Sequence, residues 1–428
     1  MIFRRDRSFI AHWKAILEPV RSPWWSRFWC VQETLLAPKA TVVFGPWQID
    51  WAEIQTAATS HRQHWITCCA RTAAQVPDKY IIFYDLLVLD PQQSQPVVPY
   101  EIQATHTSAP GFKYRELDWI LRVYRHRDCK DPRDKVYGIL GLVDQSKHPD
   151  VKPDYTMEVA QVYTVAMRSV VTYSIPHLEC LSGSGFNSRN YEGRLPSWVR
   201  DFSIKPDKIS MAYEKMRMRA YLLYNADKHL QAHNIHIDDN CILHLHGSHI
   251  DTIVRRGKAL QLWGWKHIRR TFKQWLRIAD VKPPRSTHRP DERSRWVSFW
   301  RTVAADVLPG THPYWQRFSE PDMASYMEWV YTTLTVRSLF SKPSLHETYA
   351  EAIITAIYGR SFFISTLGKF GLCFPSAQIG DEIWIVAGSR VPLVLRRSQK
   401  GHRLVGECYL DGAMSGEAAT SGAQIVLV

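Results

Sequence analysis

The chain is poor in the signatures of metal centres, secreted folds and membrane spans. Its 428 residues hold 8 cysteines, none in a Cys-x-x-Cys spacing; Cys68 and Cys69 form the one close pair. The 18 histidines include no His-Glu-x-x-His. In "HLHGSH", His244, His246 and His249 follow the alternation of a strand. Two of them can approach one ion, but a third ligand is not evident, so no metal is expected. This cysteine usage excludes a disulfide scaffold and fits a reducing, cytoplasmic compartment. The opening "MIFRRDRSFIAHW" has no apolar core of signal-peptide length. The most apolar run, "YIIFYDLLVL", is short and carries Asp85, so no membrane span is expected. No internal repeat is visible, and no low-complexity tract dominates.

What is present is apolar and aromatic. Hydrophobic residues make up 45% of the chain and 17 residues are tryptophan, which implies large cores and two or three domains. The formal net charge is +13, spread over the chain with small clusters at Arg4-Arg5, Arg255-Arg256, Lys266 to Arg270 and Arg396-Arg397. A solvated basic surface explains it. An anionic ligand pocket fits the charge as well. No nucleic-acid-binding motif accompanies it, so binding to duplex DNA is expected to be weak and salt-sensitive.

Residues 12–37 read as helix. Ser22-Pro23 opens a second helical segment, serine as cap and proline in the first turn, and Pro38 follows its end. "KATVVFG" (39–45) reads as a β-branched strand closed by Gly45, and Asp50 caps the helix that follows. The proline-rich stretch 90–112 reads as a surface loop or linker. In "DPRDKVYGILGL", Asp131 caps, Pro132 takes the first position and Asp134 lies in the positive first turn. These residues, with Arg133, read as capping and an interdomain salt-bridge network. Asp154 and Tyr155 read as turn-formers. After a strand at 240–254 and helical patterns over 259–350, short strands recur in "SFFISTLGKFGLCF", "DEIWIVAG", "PLVLRRS" and "HRLVGECYL". Their spacing predicts a small antiparallel barrel or curled sheet, joined by the strand near 242–247. Gly380-Asp381, Gly406-Glu407 and Gly416-Glu417 read as turns within it.

One position resists this account. In "SPWWSRFWCVQETLLAP" (22–38) a glutamate sits among tryptophans. On a continuous helix, Trp24, Phe28, Val31 and Leu35 form one apolar stripe. Trp25, Trp29, Gln32, Glu33 and Leu36 form a second, and Ser26, Cys30 and Thr34 fill the remainder. Such a helix is expected to be buried on two sides with Glu33 against Trp29. A buried carboxylate needs a partner. Either Glu33 pairs with an arginine such as Arg27 or Arg133, or it faces a cleft whose ligand supplies the partner. A carboxylate beside an indole can hydrogen-bond ribose hydroxyls and stabilise an oxocarbenium charge.

"WWSRFWCVQETLLAPKATVVFG" resembles the end of the fungal heterokaryon incompatibility (HET) domain, which closes on Arg-x-Trp-x-x-Gln-Glu, here Arg27, Trp29, Gln32 and Glu33. "DPRDKVYGILGL", "KPDYT" and "LPSWVRDFS" resemble blocks that follow that domain. "GRSFFISTLGKFGLCFPSAQIGDEIWIVAGSRVPLVLRR" and "LVGECYLDGAMSGEA" resemble the family's C-terminal region. "WCVQE" is also similar to the Trp-Cys-x-x-Glu helix of TIR domains, relatives of HET domains. By that likeness Glu33 is the candidate catalytic carboxylate, and Trp29, Arg27 and Gln32 are candidate binding residues for NAD as substrate, with no bound cofactor. The family's opening blocks, Tyr-x-Trp-Gly and an "IDALCINQ"-like segment, do not precede Trp24. The resemblance therefore implies an N-terminally truncated HET protein.

The expected fold is α+β: a mainly helical body containing the remnant of a TIR-like α/β HET domain, with a C-terminal antiparallel β-barrel or sheet. The expected boundaries are a HET remnant at 1–60, a helical region at 61–239, a joining strand at 240–256, a helical insertion at 257–354 and a barrel-like subdomain at 355–428. The implied function is fungal non-self recognition and programmed cell death, with a protein partner and either an inherited NAD-hydrolase activity or a non-catalytic scaffold. A basic nucleic-acid binder is the third reading, motivated by charge alone. The resemblance implies no oligomeric state.

Overall fold

The computed structural model describes residues 22–64, 116–186, 188, 190–191, 193–230, 235–261, 265–282, 290–310, 315–335, 347–419 and 422–428. The expected helix over 12–21 and the proline-rich stretch 90–112 lie outside them. The chain divides into two compact units: Met1–Ala166 with Phe202–Ile209, and Met167–Asp201 with Ser210–Val428.

In the first unit Ser22 and Pro23 do open a helical turn. The Ser22 hydroxyl accepts the Trp24 N–H at 3.3 Å, and Pro23–Ser26 forms one 3-10 turn. The long helix does not continue from there. Arg27 is extended (φ −68°, ψ 140°). The reason is a competing backbone partner: Phe28 N–H donates to Asp128 O at 2.8 Å, and Asp128 N–H donates to Ser26 O at 2.6 Å. Helix resumes as α1 (Cys30–Leu35). This interruption resets which face is buried. Cys30, Val31 and Thr34 point inward, so two of the three residues expected on the leftover polar face are core. The Thr34 hydroxyl meets its own need by donating to Cys30 O at 2.7 Å.

The strand expected at 39–45 is β1 (Thr41–Phe44), and it pairs antiparallel with an unforeseen β2 (Trp47–Asp50). Gly45 supplies the positive φ (+57°) of the turn. Asp50 ends β2 and accepts Ala52 N–H at 2.8 Å, capping α2 (Trp51–His64). Trp25 stacks on Trp51 with centroids 6.0 Å apart, a small core to which Leu35, Val42 and Ile54 add. Helices α3 (Leu117–Tyr124) and α4 (Asp134–Tyr137) follow. The unit's last helix, α5 (Val159–Ser174), runs on into the second unit's sequence.

The second unit adds helices α6 (Lys208–Tyr221), α7 (Trp265–Ala279), α8 (Pro290–Val303), α9 (Glu320–Thr335) and α10 (Glu347–Ile357). Its strands are β3 (His236–Ile237), β4 (Leu243–Arg256), β5 (Val307–Pro309), β6 (Trp315–Arg317), β7 (Ser361–Ser365), β8 (Phe370–Cys373), β9 (Glu382–Val386), β10 (Leu393–Ser398), β11 (Gly401–Glu407), β12 (Tyr409–Leu410) and β13 (Ala423–Leu427). The β5–β6 hairpin lies inside the stretch that the sequence presents as helical. The remaining pairings close a circuit: β4 to β13, β13 to β11, β11 to β10, β10 to β9, and β9 back to β4. The far end of β4 carries a wing of β7, β8 and β12. The fold is thus α+β with a barrel-like C-terminal region. Its strand pairs are antiparallel except β11 with β13, which meet in parallel at His402 and Leu427.

Strands β7, β8 and β9 are buried along their whole length, so both of their faces are covered. One cluster gathers Ile253, Phe363, Ile383, Val394 and Val405. Elsewhere α7 and α8 lay their aromatics on the wing. Trp275 stacks on Phe362 at 5.8 Å, and Phe299 meets Phe362 at 5.3 Å and Phe370 at 6.3 Å. Among the described residues no helix is long and apolar enough to cross a membrane.

Gly247 is held between two strands of the circuit, pairing with Ala423 of β13 on one side and Val386 of β9 on the other. A Cβ there would lie 2.6 Å from Ile385 O and 2.7 Å from Ile425 Cδ1. The backbone oxygen has no rotamer with which to yield. Gly247→Ala is therefore expected to destabilise the protein by about 1–3 kcal/mol. Urea unfolding would show a lowered midpoint; an unchanged midpoint would mean that the circuit is looser than this.

Candidate functional site

The start of α4 is built by its local sequence. The Asp131 carboxylate accepts the Arg133 N–H at 3.0 Å, and Pro132 needs no N–H partner there. The Arg133 side chain folds back on Asp131 in a forked pair (Nε to Oδ1 3.1 Å, Nη2 to Oδ2 2.8 Å). That pairing holds the Asp131 carboxyl below its usual range. The same guanidinium donates to Met157 O at 3.0 Å and to Tyr155 O, and lies 5.2 Å from the Tyr155 ring centroid. Residues 155–157 are thereby clasped against the helix start. Lys135, buried beside them, donates to Arg125 O at 2.8 Å and to Arg127 O. Burial pushes its ammonium pKa down.

The clasp delivers Tyr155 to Asp134. This carboxylate is 8% exposed. Its Oδ1 accepts the Tyr155 hydroxyl at 2.7 Å, and its Oδ2 accepts the Trp29 indole N–H at 3.3 Å. Three separate sequence blocks thus meet on one carboxylate. The hydrogen bond to Asp134 raises the Tyr155 phenol to about 12. Tyr137 sits edge-on to Tyr155 at 5.3 Å and donates to Asp154 O at 2.9 Å. Asp154 shapes the turn as expected, accepting Thr156 N–H at 2.8 Å and its hydroxyl at 2.6 Å. Asp131, Arg133 and Asp134 therefore serve contacts inside the first unit rather than an interdomain network.

The sequence-predicted residues are placed as follows. Glu33 and Trp29 stay one turn apart, with Glu33 N–H donating to Trp29 O at 3.1 Å. Both side chains are exposed rather than buried between helices. The Glu33 carboxylate accepts the Trp24 indole N–H at 3.2 Å. Arg133, one of its two expected counter-charges, is committed to Asp131. Arg27 is exposed, and among the described residues no cation lies within ion-pair distance of Glu33. Gln32 is half-buried against Gly141, where a Cβ would come 3.4 Å from its Nε2. Chemically this is an exposed carboxylate flanked by two indoles, able to accept hydroxyl or amide hydrogens from a visiting molecule.

Sequence reasoning missed the Asp134–Tyr155 link, because a 21-residue separation carries no periodic signal. It also misread Glu407 as turn chemistry. Glu407 ends β11, is 1% exposed, pairs with Arg360, and accepts Gly183 N–H at 2.8 Å and the Tyr221 hydroxyl at 2.7 Å. Asp381 was likewise more than a turn former: it takes a forked pair from Arg396 at 2.7 and 2.8 Å. In both, an acidic residue beside an apolar strand was the available clue.

The Het-6 beta-barrel domain family matches residues 317–424. The OR allele of heterokaryon incompatibility protein 6 from Neurospora crassa is 22% identical over 460 aligned positions, covering 94% of this chain and 65% of that protein. The chain is thus similar to a heterokaryon incompatibility protein along most of its length and to the Het-6 beta-barrel family at its C-terminal end. It spans about 65% of the length of this curated relative. No solved structure matches it. The matched barrel span starts well after β4, the strand on which the circuit closes.

Two substitutions separate the roles of the carboxylates Asp134 and Glu33. Asp134→Ala removes two hydrogen bonds to a buried acceptor and is expected to cost about 1.5–3 kcal/mol. Glu33→Gln should change stability by less than about 0.5 kcal/mol. A tyrosine in the unfolded chain titrates near 10, and Tyr155 in the folded chain at about 12. The folded state therefore holds this proton longer. The contribution is complete below pH 10 and lost as pH rises toward 12. A 13Cζ tyrosine titration should show a late-titrating signal that Tyr155→Phe deletes and Asp134→Ala moves toward 10.

Proposed function

We propose that this chain acts in fungal heterokaryon incompatibility, in the cytoplasm, as a protein-recognition component of the non-self response that ends in programmed cell death. Similarity to heterokaryon incompatibility protein 6 along 94% of the chain supports the assignment to that process. Within the first unit we read α1 as a TIR-like helix, with Trp29 and Glu33 at the positions that its Trp-Cys-x-x-Glu pattern makes functional.

The observation that carries the recognition reading is the exposure of this helix. Trp29 is 36% exposed and Leu36 52%, on either side of Glu33. Aromatic anchors with an adjacent charge are the side chains that dominate protein interfaces. The Trp29 indole is held in place by Asp134, so the anchor is ordered before a partner arrives.

A second reading is NAD cleavage. It is favoured by the same Glu33 carboxylate, which carries no bound arginine among the described residues and is open to ribose hydroxyls. Under that reading Arg27 and Gln32 contribute to substrate binding.

Expression in a fungal host, with NAD measured in the same cells, distinguishes the two. Growth arrest with NAD unchanged, and retained in Glu33→Gln, is the result expected for recognition. Arrest accompanied by NAD loss, both abolished by Glu33→Gln, would replace it with the hydrolase reading. No arrest from any variant at matched protein levels would remove the incompatibility function itself.

A further inference from the structure

The second unit contains a small cavity of about 20 Å³, lined by Arg217, Tyr221, Thr355, Arg360, Cys408 and Tyr409 among others. Two arginines on one small cavity call for a counter-charge. Arg360 has one: its guanidinium is paired with Glu407, whose other contacts are Gly183 N–H and the Tyr221 hydroxyl. Arg217 is different. It is 8% exposed, and its Nη1 donates to two backbone carbonyls, Thr355 O at 2.9 Å and Tyr358 O at 3.0 Å. Its Nε is buried with no partner in the protein. The carboxylate one turn earlier on α6, Glu214, is turned to Ser184, accepting its N–H at 2.9 Å and its hydroxyl at 2.5 Å.

A guanidinium does not escape burial by losing its proton. The two carbonyl oxygens take hydrogens from Nη1 alone and carry no formal charge, and no carboxylate lies in direct contact with this guanidinium among the described residues, which is costly in a low-dielectric interior. The largest charge acting on it is the Arg360 cation, with the Glu214 and Glu407 carboxylates acting in the opposite sense. We propose that this cavity is a binding site for one small monovalent anion of the halide class, held by Arg217 and Arg360. The volume admits one water-sized guest, which favours a monatomic over a polyatomic anion. The Cys408 thiol, 2% exposed on the same wall, offers a weak S–H donor. Burial, followed by the neighbouring Arg360 charge, pulls the Arg217 pKa down, and the Glu214 and Glu407 carboxylates offset this only in part.

The test uses the full chain in sodium gluconate, chloride, bromide and iodide at one ionic strength. Chloride and bromide should raise Tm saturably, by about 2–5 °C at saturation, with iodide less effective because it is larger. Arg217→Met keeps the stem and removes the charge, so it should be insensitive to the halide. Equal Tm in gluconate and chloride would overturn the proposal, as would a halide response that Arg217→Met leaves intact. Should Arg217→Met fail to fold, bromide-soaked crystals of the unsubstituted chain decide. An anomalous peak in contact with the Arg217 nitrogens supports the site. A water there without an anomalous peak rejects it.

Discussion

The second unit depends on the buried pair between Arg360 and Glu407. Arg360 stands just before β7, and Glu407 is the last residue of β11. Arg360 Nη1 also donates to the Glu407 carbonyl at 3.0 Å, and its Nη2 to the Tyr221 hydroxyl at 2.8 Å. The guanidinium lies 4.2 Å from the centroid of Phe374. One ion pair therefore fixes the wing, the barrel, the end of α6 and the loop at Gly183. Breaking such a pair by removing one partner typically costs about 3–5 kcal/mol, because the other charge is left stranded. Buried pairs of this kind often add little net stability over well-packed apolar residues of similar volume. Here the geometry joins these four segments of the unit at one glutamate.

The first unit solves a similar problem with a different device. Asp134 gathers neutral donors, an indole and a phenol, rather than a cation. Neutral donors impose direction without needing a charge to be desolvated beside the carboxylate. Trp29 can then stay partly in solvent while its ring orientation is fixed. The tryptophans divide accordingly. Trp275 and Trp300 of α7 and α8 are core, whereas Trp29 and Trp47 keep large apolar faces outside.

Legibility followed the range of the interactions. The Ser22 cap, the Asp50 cap, the Asp131-Pro132 start and the Asp154 turn are settled within four residues, and each was readable. The alternating "EIWIVAG" and "LVLRR" runs marked the C-terminal strands for the same reason. The continuous tryptophan-rich helix was not readable, because Asp128, a hundred residues away, captures the backbone at Ser26 and Phe28. That capture turned Glu33 outward and Cys30 inward, reversing the inference drawn from helical arithmetic. Glu407 failed similarly: glycine before an acid matches a turn, and only Arg360 explains its burial.

The place of β4 bears on how the protein is made. Leu243 pairs with Leu427, so about 180 residues must be synthesised after the strand before its partner exists, on the order of 10–40 s at a ribosome. During that interval the Leu243–Gly247 edge has no β13 to cover it, and open edges invite association with other chains. His244 and His246 alternate with the buried Leu243 and Leu245, which gives the waiting strand one polar side. The nascent chain is thus most exposed to aggregation in its middle third, and a chaperone holding that stretch until translation nears its finish would act where the topology leaves it unprotected.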